Sequence, residues 1–240
     1  MHKVSVLFAR SDSVYFDLVF DVWDAERDAR AYAGSWPVVA HPPCRAWGRL
    51  AKLAKPREDE PELAFFAVDF VRQYGGVLEH PYGSDLWPAA GLPRPGEVDE
   101  YGGWTVLVDQ GWWGHHAPKP TWLYVVGMPR HHLDGLPVET LRRRGRTLSM
   151  QPADRERTPR LFAEFLVRLA GRCYVRPGRA VTPVDRQRLP RAARDGYADL
   201  ADGVTSGAGE LLLRPGASGD SGGWGATPVE AHGLERQQWV

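Results

Sequence analysis

Residues 37–81 read PVVAHPPCRAWGRLAKLAKPREDEPELAFFAVDFVRQYGGVLEHP, and they carry the clearest structural signal in the chain. The apolar run at residues 37–40 and the segment VLE at residues 77–79 are predicted strands. Between them Pro61 suits the first turn of a helix, and the glycines at 75–76 suit its end. The intervening apolar residues recur at helical spacing: Leu63, Phe66, Ala67, Phe70, Val71 and Tyr74. This order predicts a βαβ unit with parallel strands and a right-handed crossover.

Apolar segments on either side extend this unit into a larger sheet. Residues 4–8 (VSVLF) and 122–126 (WLYVV) are predicted strands. Pro159 predicts the start of a last helix. Its apolar face consists of Leu161, Phe162, Phe165, Leu166 and Leu169. Strands that alternate with helices predict an α/β fold, with a mainly parallel sheet and helices on both faces. Ligands in such folds bind beyond the carboxyl ends of the strands.

The composition changes along the chain. Of the 240 residues 43% are hydrophobic, which is enough for one domain with a sizeable core. Thirty basic and thirty acidic residues cancel, and this balance excludes a generally basic nucleic-acid-binding surface. From residue 174 onward Arg, Gly, Pro, Ser and Asp dominate. We therefore predict a domain over residues 1–173 and a flexible, disordered, low-complexity tail over residues 174–240, with a partner-binding segment as the alternative for the tail.

The cysteine count and the apolar runs predict a cytoplasmic protein. Two cysteines cannot form a disulfide framework, which indicates a reducing compartment. No apolar run reaches the roughly 20 residues of a membrane span, and the first residues turn polar too soon for a signal peptide. The histidine pairs at 115–116 and 131–132 have no cysteine or acid at a ligand spacing, so no metal site is predicted.

Reactive side chains follow both strands of the βαβ unit. Cys44 comes after His-Pro-Pro at the end of one strand, and Glu79 ends the other. Since parallel strands end at one edge of a sheet, we expect both residues at the same cleft. A cysteine and a carboxylic acid suit nucleophilic addition to an electron-poor ring, in which the thiolate attacks carbon and the acid contacts a ring nitrogen. The alternative for Cys44 is a small buried hydrophobic residue.

HPPCRAW followed by LEHP resembles the active-site pair of DNA cytosine-C5 methyltransferases, in which a Pro-Cys loop supplies the nucleophile and a Glu-Asn strand end contacts cytosine. Three other segments match in order. DVWDAERDARAYAGSW resembles the acidic segment that holds the ribose of S-adenosylmethionine, DQGWWGHHAPKPTWLYVVG the Gln-x-Arg-x-Arg loop, and RTPRLFAEFLVRLA the closing helix. More closely, the chain resembles short methyltransferase-like proteins of bacteriophages and prophages. The resemblance, over roughly residues 4–172, implies a Rossmann-type, doubly wound methyltransferase-like fold, located in the host cytoplasm if phage-encoded.

This resemblance also implies roles for individual residues. Cys44 would attack C6 of a pyrimidine, Glu79 would hydrogen-bond N3 and the exocyclic amine, and Arg45 would complete the catalytic set. The residues implied for S-adenosylmethionine are Phe8, Ser11, Asp24, Glu26 and Pro43. The implied substrate is DNA, with single-stranded DNA as one option, or a nucleotide, and the residues implied for it are His80, Lys119 and Thr121.

Two departures from the family leave a second function open. The first strand runs into FARSDS, where the family has a glycine-rich turn. Residues 127–158 are too few for the domain that reads duplex DNA in that family. The leading prediction is a pyrimidine-modifying enzyme, in its most concrete form an S-adenosylmethionine-dependent cytosine-C5 methyltransferase that uses a covalent Cys44 adduct. The alternative is a non-catalytic phage accessory protein that binds nucleic acid or protein and has kept the fold.

Overall fold

The computed structural model describes residues 3–49, 51–134, 136 and 157–188. The strands are β1 (Ser5–Leu7), β2 (Asp21–Trp23), β3 (Val38–Ala40), β4 (Gly76–Pro81), β5 (Trp104–Asp109) and β6 (Pro120–Val126). The helices are α1 (Glu60–Tyr74), α2 (Leu86–Ala89) and α3 (Arg160–Ala170). One sheet has the order β2-β1-β3-β4-β6-β5, in which β1 to β4 are parallel and β6 is antiparallel to both of its neighbours. The predicted α/β fold with a mostly parallel sheet is confirmed.

The predicted βαβ unit is present as β3, α1 and β4. Val38 of β3 pairs with Gly76 of β4 in parallel register. Pro61 lies in the first turn of α1, and the helix ends at Gly75, whose φ of 78° suits a residue without a side chain. Phe70 is buried as predicted, but Phe66 is only half-buried. The Arg186 guanidinium lies 3.9 Å from the centre of the Phe66 ring and covers it.

Each face of the sheet carries its own core. On one face α1 packs with the β2–β3 connection, represented by Tyr32. On the other face α3 packs with the β1–β2 connection, represented by Tyr15 and Val19. After β1 the chain therefore runs over one face of the sheet, and after β3 it runs over the other. Right-handed connections require this, because β2 and β4 lie in opposite directions along the sheet. Where the direction changes, between β1 and β3, the sheet has a crevice at its carboxyl edge.

The buried face of α3 is narrower than predicted. Phe162, Phe165, Leu166 and Leu169 are buried, but the Leu161 side chain is 58% exposed. Leu161 precedes Phe162 by one residue, which rotates it by about 100° around the helix axis and away from the sheet.

Strands β2 and β5 were not among the predicted strands.

The described part of the chain continues past the predicted domain boundary at Cys173 and packs on the domain. The amide of Tyr174 donates to the Gly127 carbonyl at 2.8 Å. Val184 is buried and donates its amide to Asp69 of α1, which also pairs with Arg186 at 3.2 Å. Residues 189–240, with most of the predicted tail, lie outside the described residues. No helix among the described residues is long and apolar enough to span a membrane.

Candidate active site

A cleft of about 1500 Å³ opens at the carboxyl edge of the sheet, over the crevice between β1 and β3. The residues that line it are drawn from segments 8–17, 41–54, 79–82, 119–120 and 157–158. The first two segments follow β1 and β3, and the third covers the end of β4. The carboxyl ends of these parallel strands therefore lie at a single cavity. This is the position at which open α/β sheets bind their ligands.

Cys44 and Glu79 both line this cleft. The loop that carries Cys44 is fixed at its start, where the His41 amide donates to the Leu7 carbonyl at 3.0 Å. After Cys44 the chain turns, and its carbonyl accepts hydrogen bonds from the amides of Trp47 and Gly48. Cys44 is half-buried and forms no disulfide. The structure therefore brings together the two residues on which the sequence-based site was built.

Glu79 is held by hydrogen bonds to both carboxylate oxygens. His41 Nδ1 lies 3.0 Å from Oε2, and Gln110 Nε2 donates to Oε1 at 2.8 Å. Burial raises the pKa of Glu79, but the hydrogen bond and charge of His41 and the charge of Lys119 outweigh it and lower this pKa to about 2. Glu79 is therefore a carboxylate at neutral pH, and its side chain is only 12% exposed.

His41 joins Glu79 to a third residue. Its Nε2 lies 2.8 Å from the Tyr15 hydroxyl oxygen, and the two rings are in contact at 5.2 Å between centres. Burial and the Glu79 charge raise the pKa of Tyr15 well above its ordinary value, so the phenol stays protonated. Sequence reasoning missed both His41 and Tyr15. In the sequence, only two features point to these residues. His41 lies three residues before Cys44, and Tyr15 is a tyrosine in the β1–β2 connection.

Gln110 is the other residue that sequence reasoning missed. It follows β5, is fully buried, and also donates to the Thr121 hydroxyl at 3.1 Å. Thr121 lies behind Gln110 in β6 and is fully buried, so it supports Gln110 and does not line the cleft. The prediction that Thr121 contacts the substrate is thereby corrected. The glutamine of the DQGWWG loop was the available signal for Gln110.

Two basic side chains at the cleft form no ion pair with any acidic group among the described residues. Arg45 is not one of them, because it pairs with the buried Glu60 at the start of α1. Lys119 makes no ion pair or side-chain hydrogen bond with the described residues. Arg49 likewise makes none with them, and its guanidinium lies 6.0 Å from the centre of the Tyr82 ring. Both cations are therefore available to an anionic ligand.

The β1 side of the cleft contains a strained turn. Phe8, directly after β1, lines the cleft with a φ of 61°, which is uncommon for a residue other than glycine. Its neighbour Ala9 donates its amide to the Trp23 carbonyl at 3.0 Å, so the turn is tied to β2. The backbone thus makes, without glycine, the kind of left-handed turn for which glycine is the default residue.

The other residues predicted for the cofactor are placed outside the cleft lining. Ser11 is exposed. Asp24 follows β2 at the correct edge, but its carboxylate accepts from the amides of Glu26 and Arg27 and closes the turn there. Glu26 is exposed on that turn, and Pro43, directly before Cys44, is buried. These placements differ from the predicted contacts, because the side chains are used in turns or in packing.

His80 lies on the opposite face of β4 from Glu79. It is fully buried and packs 6.4 Å from Trp87, measured between ring centres. Neither ring nitrogen has a hydrogen-bond partner among the described residues, although the Pro43 carbonyl is close enough to favour the charged ring. Burial lowers the pKa of His80 to about 4, so the ring is neutral. The predicted contact of His80 with substrate is corrected, since neighbouring residues of a strand face opposite sides.

No family model, no curated protein and no solved structure matches this chain. The site is therefore interpreted from its own geometry. The described residues contain no group of three or more His, Cys, Asp or Glu side chains that could hold a metal ion.

Proposed function

We propose that this protein modifies pyrimidines through a covalent bond between the Cys44 sulfur and C6 of the base. In its most concrete form the reaction is methylation of cytosine C5 in DNA, with S-adenosylmethionine as the methyl donor. One observation carries the proposal: Cys44 and Glu79 line a single cleft at the carboxyl edge of the sheet. The other cysteine, Cys173, is buried in the core, where burial raises the pKa of its thiol to about 12.

The chemistry of the two side chains is complementary. A thiolate is a strong nucleophile toward an electron-poor ring carbon. A carboxylate held in place by His41 and Gln110 accepts a hydrogen bond from the exocyclic amine of cytosine and so orients the ring. Addition at C6 makes C5 electron-rich. A bound donor would then add its methyl group to C5, and transfer of the C5 proton to water in the cleft, with expulsion of the thiolate, would release the modified base.

Two observations support a methyl donor on the β1 side of the cleft. The sheet order changes direction between β1 and β3, which supports a Rossmann-type arrangement with a nucleotide-like ligand at that point. The left-handed turn at Phe8 lets the backbone approach a ligand there, with Ser13 and Thr158 lining the same side. S-adenosylmethionine, when bound, supplies an electrophilic methyl group. The chain's contribution is to hold the base with C5 directed toward this side of the cleft.

Arg49, Lys119 and Tyr82 support a nucleic acid or nucleotide as the substrate. The two cations are unpaired within the described part of the chain, and phosphate is the anion that accompanies a pyrimidine in a nucleotide. Tyr82 is 41% exposed at the cleft and is held edge-on by Trp122, 5.1 Å away between ring centres. An exposed aromatic ring beside basic side chains is typical of single-strand binding, in which bases stack on the ring.

A second candidate is a binding protein without catalytic activity. The placement of Asp24 and Glu26 favours it, because neither carboxylate reaches the cleft to hold a donor ribose. Such a protein would bind single-stranded DNA through Arg49, Lys119 and Tyr82 without forming a covalent bond.

Adduct trapping tests the proposal. Single-stranded DNA that contains 5-fluorocytosine is incubated with the protein and S-adenosylmethionine, and the protein–DNA bond is detected on a denaturing gel. The fluorine cannot leave as a proton does, so the adduct persists after methyl transfer. We expect trapping by the wild type and by Cys173→Ser, and none by Cys44→Ser, because a hydroxyl is far less ionised than a thiol at neutral pH. DNA binding without any adduct would establish the binding-protein alternative.

A further inference from the structure

Among the described residues, His41 is the one that connects the proposed base-binding carboxylate to a second ionisable group. Its ring bridges Glu79 Oε2, 3.0 Å from Nδ1, and the Tyr15 hydroxyl, 2.8 Å from Nε2. The His41 side chain is only 13% exposed, and Tyr15 is buried. Three side chains from three separate segments, the β1–β2 connection, the Cys44 loop and β4, thus form one hydrogen-bonded row.

The protonation states along this row follow from the environment of each member. Glu79 is a carboxylate, so it accepts, and His41 Nδ1 therefore carries a hydrogen. Tyr15 stays a phenol, and its hydroxyl can either donate to a neutral His41 or accept from a charged one. Both charge states of His41 therefore keep both hydrogen bonds.

The other polar groups around Glu79 cannot replace His41 as a proton source. Gln110, from the β5–β6 connection, donates an amide hydrogen that it does not lose. Lys119, from the same connection, attracts the carboxylate electrostatically but makes no hydrogen bond to it. His80 lies on the other face of β4 and is neutral. Among the described residues, a proton that reaches Glu79 at neutral pH therefore comes through Nδ1 of His41.

We propose that His41 is a positioning residue which orients Glu79 and supplies the proton that Glu79 passes to N3 of the base. This inference rests on the proposed function. The Cys44 thiolate bonds to C6 while the C5–C6 π pair moves between C4 and C5, and the C4–N3 π pair moves onto N3. N3 takes a proton from the Glu79 carboxyl group, which takes one from Nδ1 of the His41 imidazolium. Thiolate and imidazolium charges disappear together, and the proton returns by the same route when the thiolate leaves.

A purely structural His41 makes a different prediction. If the ring only fastened the Cys44 loop to β4, its replacement would change stability and leave the pH dependence of the reaction intact. If the ring supplies a proton, the rate falls on the alkaline side, and this limb disappears when the ring is replaced.

The test measures the initial rate of adduct formation between pH 5.5 and 9 for the wild type and for His41→Asn, whose amide preserves a donor toward Glu79. We expect a loss of about 100-fold or more at neutral pH, together with loss of the alkaline limb. His131→Asn, on an exposed residue outside the cleft, is the matched control and should match the wild type. A His41→Asn rate within twofold of the wild type, with the same pH profile, overturns the inference.

A second variant and a second readout keep the test decisive. If His41→Asn does not fold, Tyr15→Phe removes only the hydroxyl at Nε2, and we expect it to shift the alkaline limb. Nitrogen-15 NMR of the histidine rings does not depend on activity. We expect the Nδ1 hydrogen of His41 to be protected from exchange in the wild type and exposed in Glu79→Gln.

The two proposals fail in different ways. If the wild type forms no adduct at any pH, the proposed function fails. A pH titration of the His41 ring nitrogens by nitrogen-15 NMR then decides whether the ring can supply a proton to Glu79. A ring that keeps one charge state from pH 5 to 9 overturns the proton supply in either case.

Discussion

The two edges of the sheet use similar residues for opposite purposes. At the carboxyl edge, Cys44, His41 and Glu79 line a cleft of about 1500 Å³. At the amino edge, Cys173 lies in the core, with its sulfur 3.4 Å from the Leu169 carbonyl and 3.8 Å from that of Gly76. A hollow of about 760 Å³ lies beside this edge, and its lining contains no thiol, carboxylate or histidine.

The difference shows that environment, and not residue type, separates a cysteine that lines a cleft from one that is packed in the core. Parallel strands end together at the carboxyl edge and are followed by loops, which leave room for polar side chains and a ligand. At the amino edge the chain closes on itself through glycines. Gly127 contacts the backbone of Tyr174, and Gly76 contacts that of Val38, at distances that exclude a side chain.

The largest effect on stability is expected at the amino edge. A Cβ atom on Gly76 would lie 2.0 Å from the Val38 carbonyl oxygen, and the φ of 119° is unfavourable for any other residue. We expect Gly76→Ala to lower the free energy of unfolding by more than about 4 kcal/mol. Gly91→Ala is the control, since it has a positive φ but an open surrounding, and it should cost about 1 kcal/mol. Urea unfolding measures both, and equal losses would mean that the edge is not closely packed.

At the carboxyl edge, the largest expected effect is on acid stability. The pKa of Glu79 is lowered from 4.5 to about 2. A lowered carboxyl pKa stabilises the folded state above the unfolded value, and this contribution is lost as pH falls from about 4.5 through 2. The loss amounts to roughly 3 kcal/mol.

Glu79→Gln should remove this part of the pH dependence, as measured by urea unfolding between pH 7 and 2. Glu26→Gln, on an exposed turn, is the control and should unfold like the wild type. An unchanged acid transition in Glu79→Gln would mean that Glu79 is not held as an ionised group by His41 and Gln110.

Truncation tests how far the amino edge extends. Removal of residues 174–240 deletes the contacts of Tyr174 with Gly127 and of Arg186 with Asp69, along with the buried Val184. We expect a loss of about 2 kcal/mol in the free energy of unfolding. Removal of residues 189–240 alone should have little effect, because their composition buries little apolar surface. Equal melting temperatures for the two truncations would place the boundary at Cys173.

The smallest effect on the free energy of unfolding is expected at His80, on the face of β4 opposite Glu79. His80 is next to Glu79, yet its buried ring nitrogens make no hydrogen bond with the described residues. We expect His80→Leu to raise the free energy of unfolding at pH 7 by about 1 kcal/mol, because an unsatisfied polar ring leaves the core. A large loss of stability would mean that the ring has a polar partner.

The pH dependence gives a second check on His80. Since its pKa is lowered from 6.5 to about 4, the unfolded state binds more protons between these values. Wild-type stability therefore falls as pH drops through this window, and the variant should lose that dependence. His116→Asn, at an exposed residue, serves as the control.

The sequence by itself determined the central unit of the fold. The apolar period of residues 63–74, the proline at its start and the glycines at its end predicted α1 and the strands on either side. Because parallel strands end at one edge, the positions of Cys44 and Glu79 after β3 and β4 were enough to place both at one cleft. The spacing of apolar residues and the positions of proline and glycine are properties of residues close in sequence. They therefore predict a helix and its ends without a three-dimensional structure.

Only the tertiary structure decided which side chains complete the site. His41 and Glu79 are 38 residues apart, and Tyr15 reaches His41 from another segment. Strands β2 and β5 and the contact of Arg186 with α1 likewise depend on distant partners. A hydrogen bond between such segments depends on strand order, register and the face on which each side chain emerges. These are set by packing of the whole sheet, so a shift of one residue in β4 would place His80, and not Glu79, in the cleft.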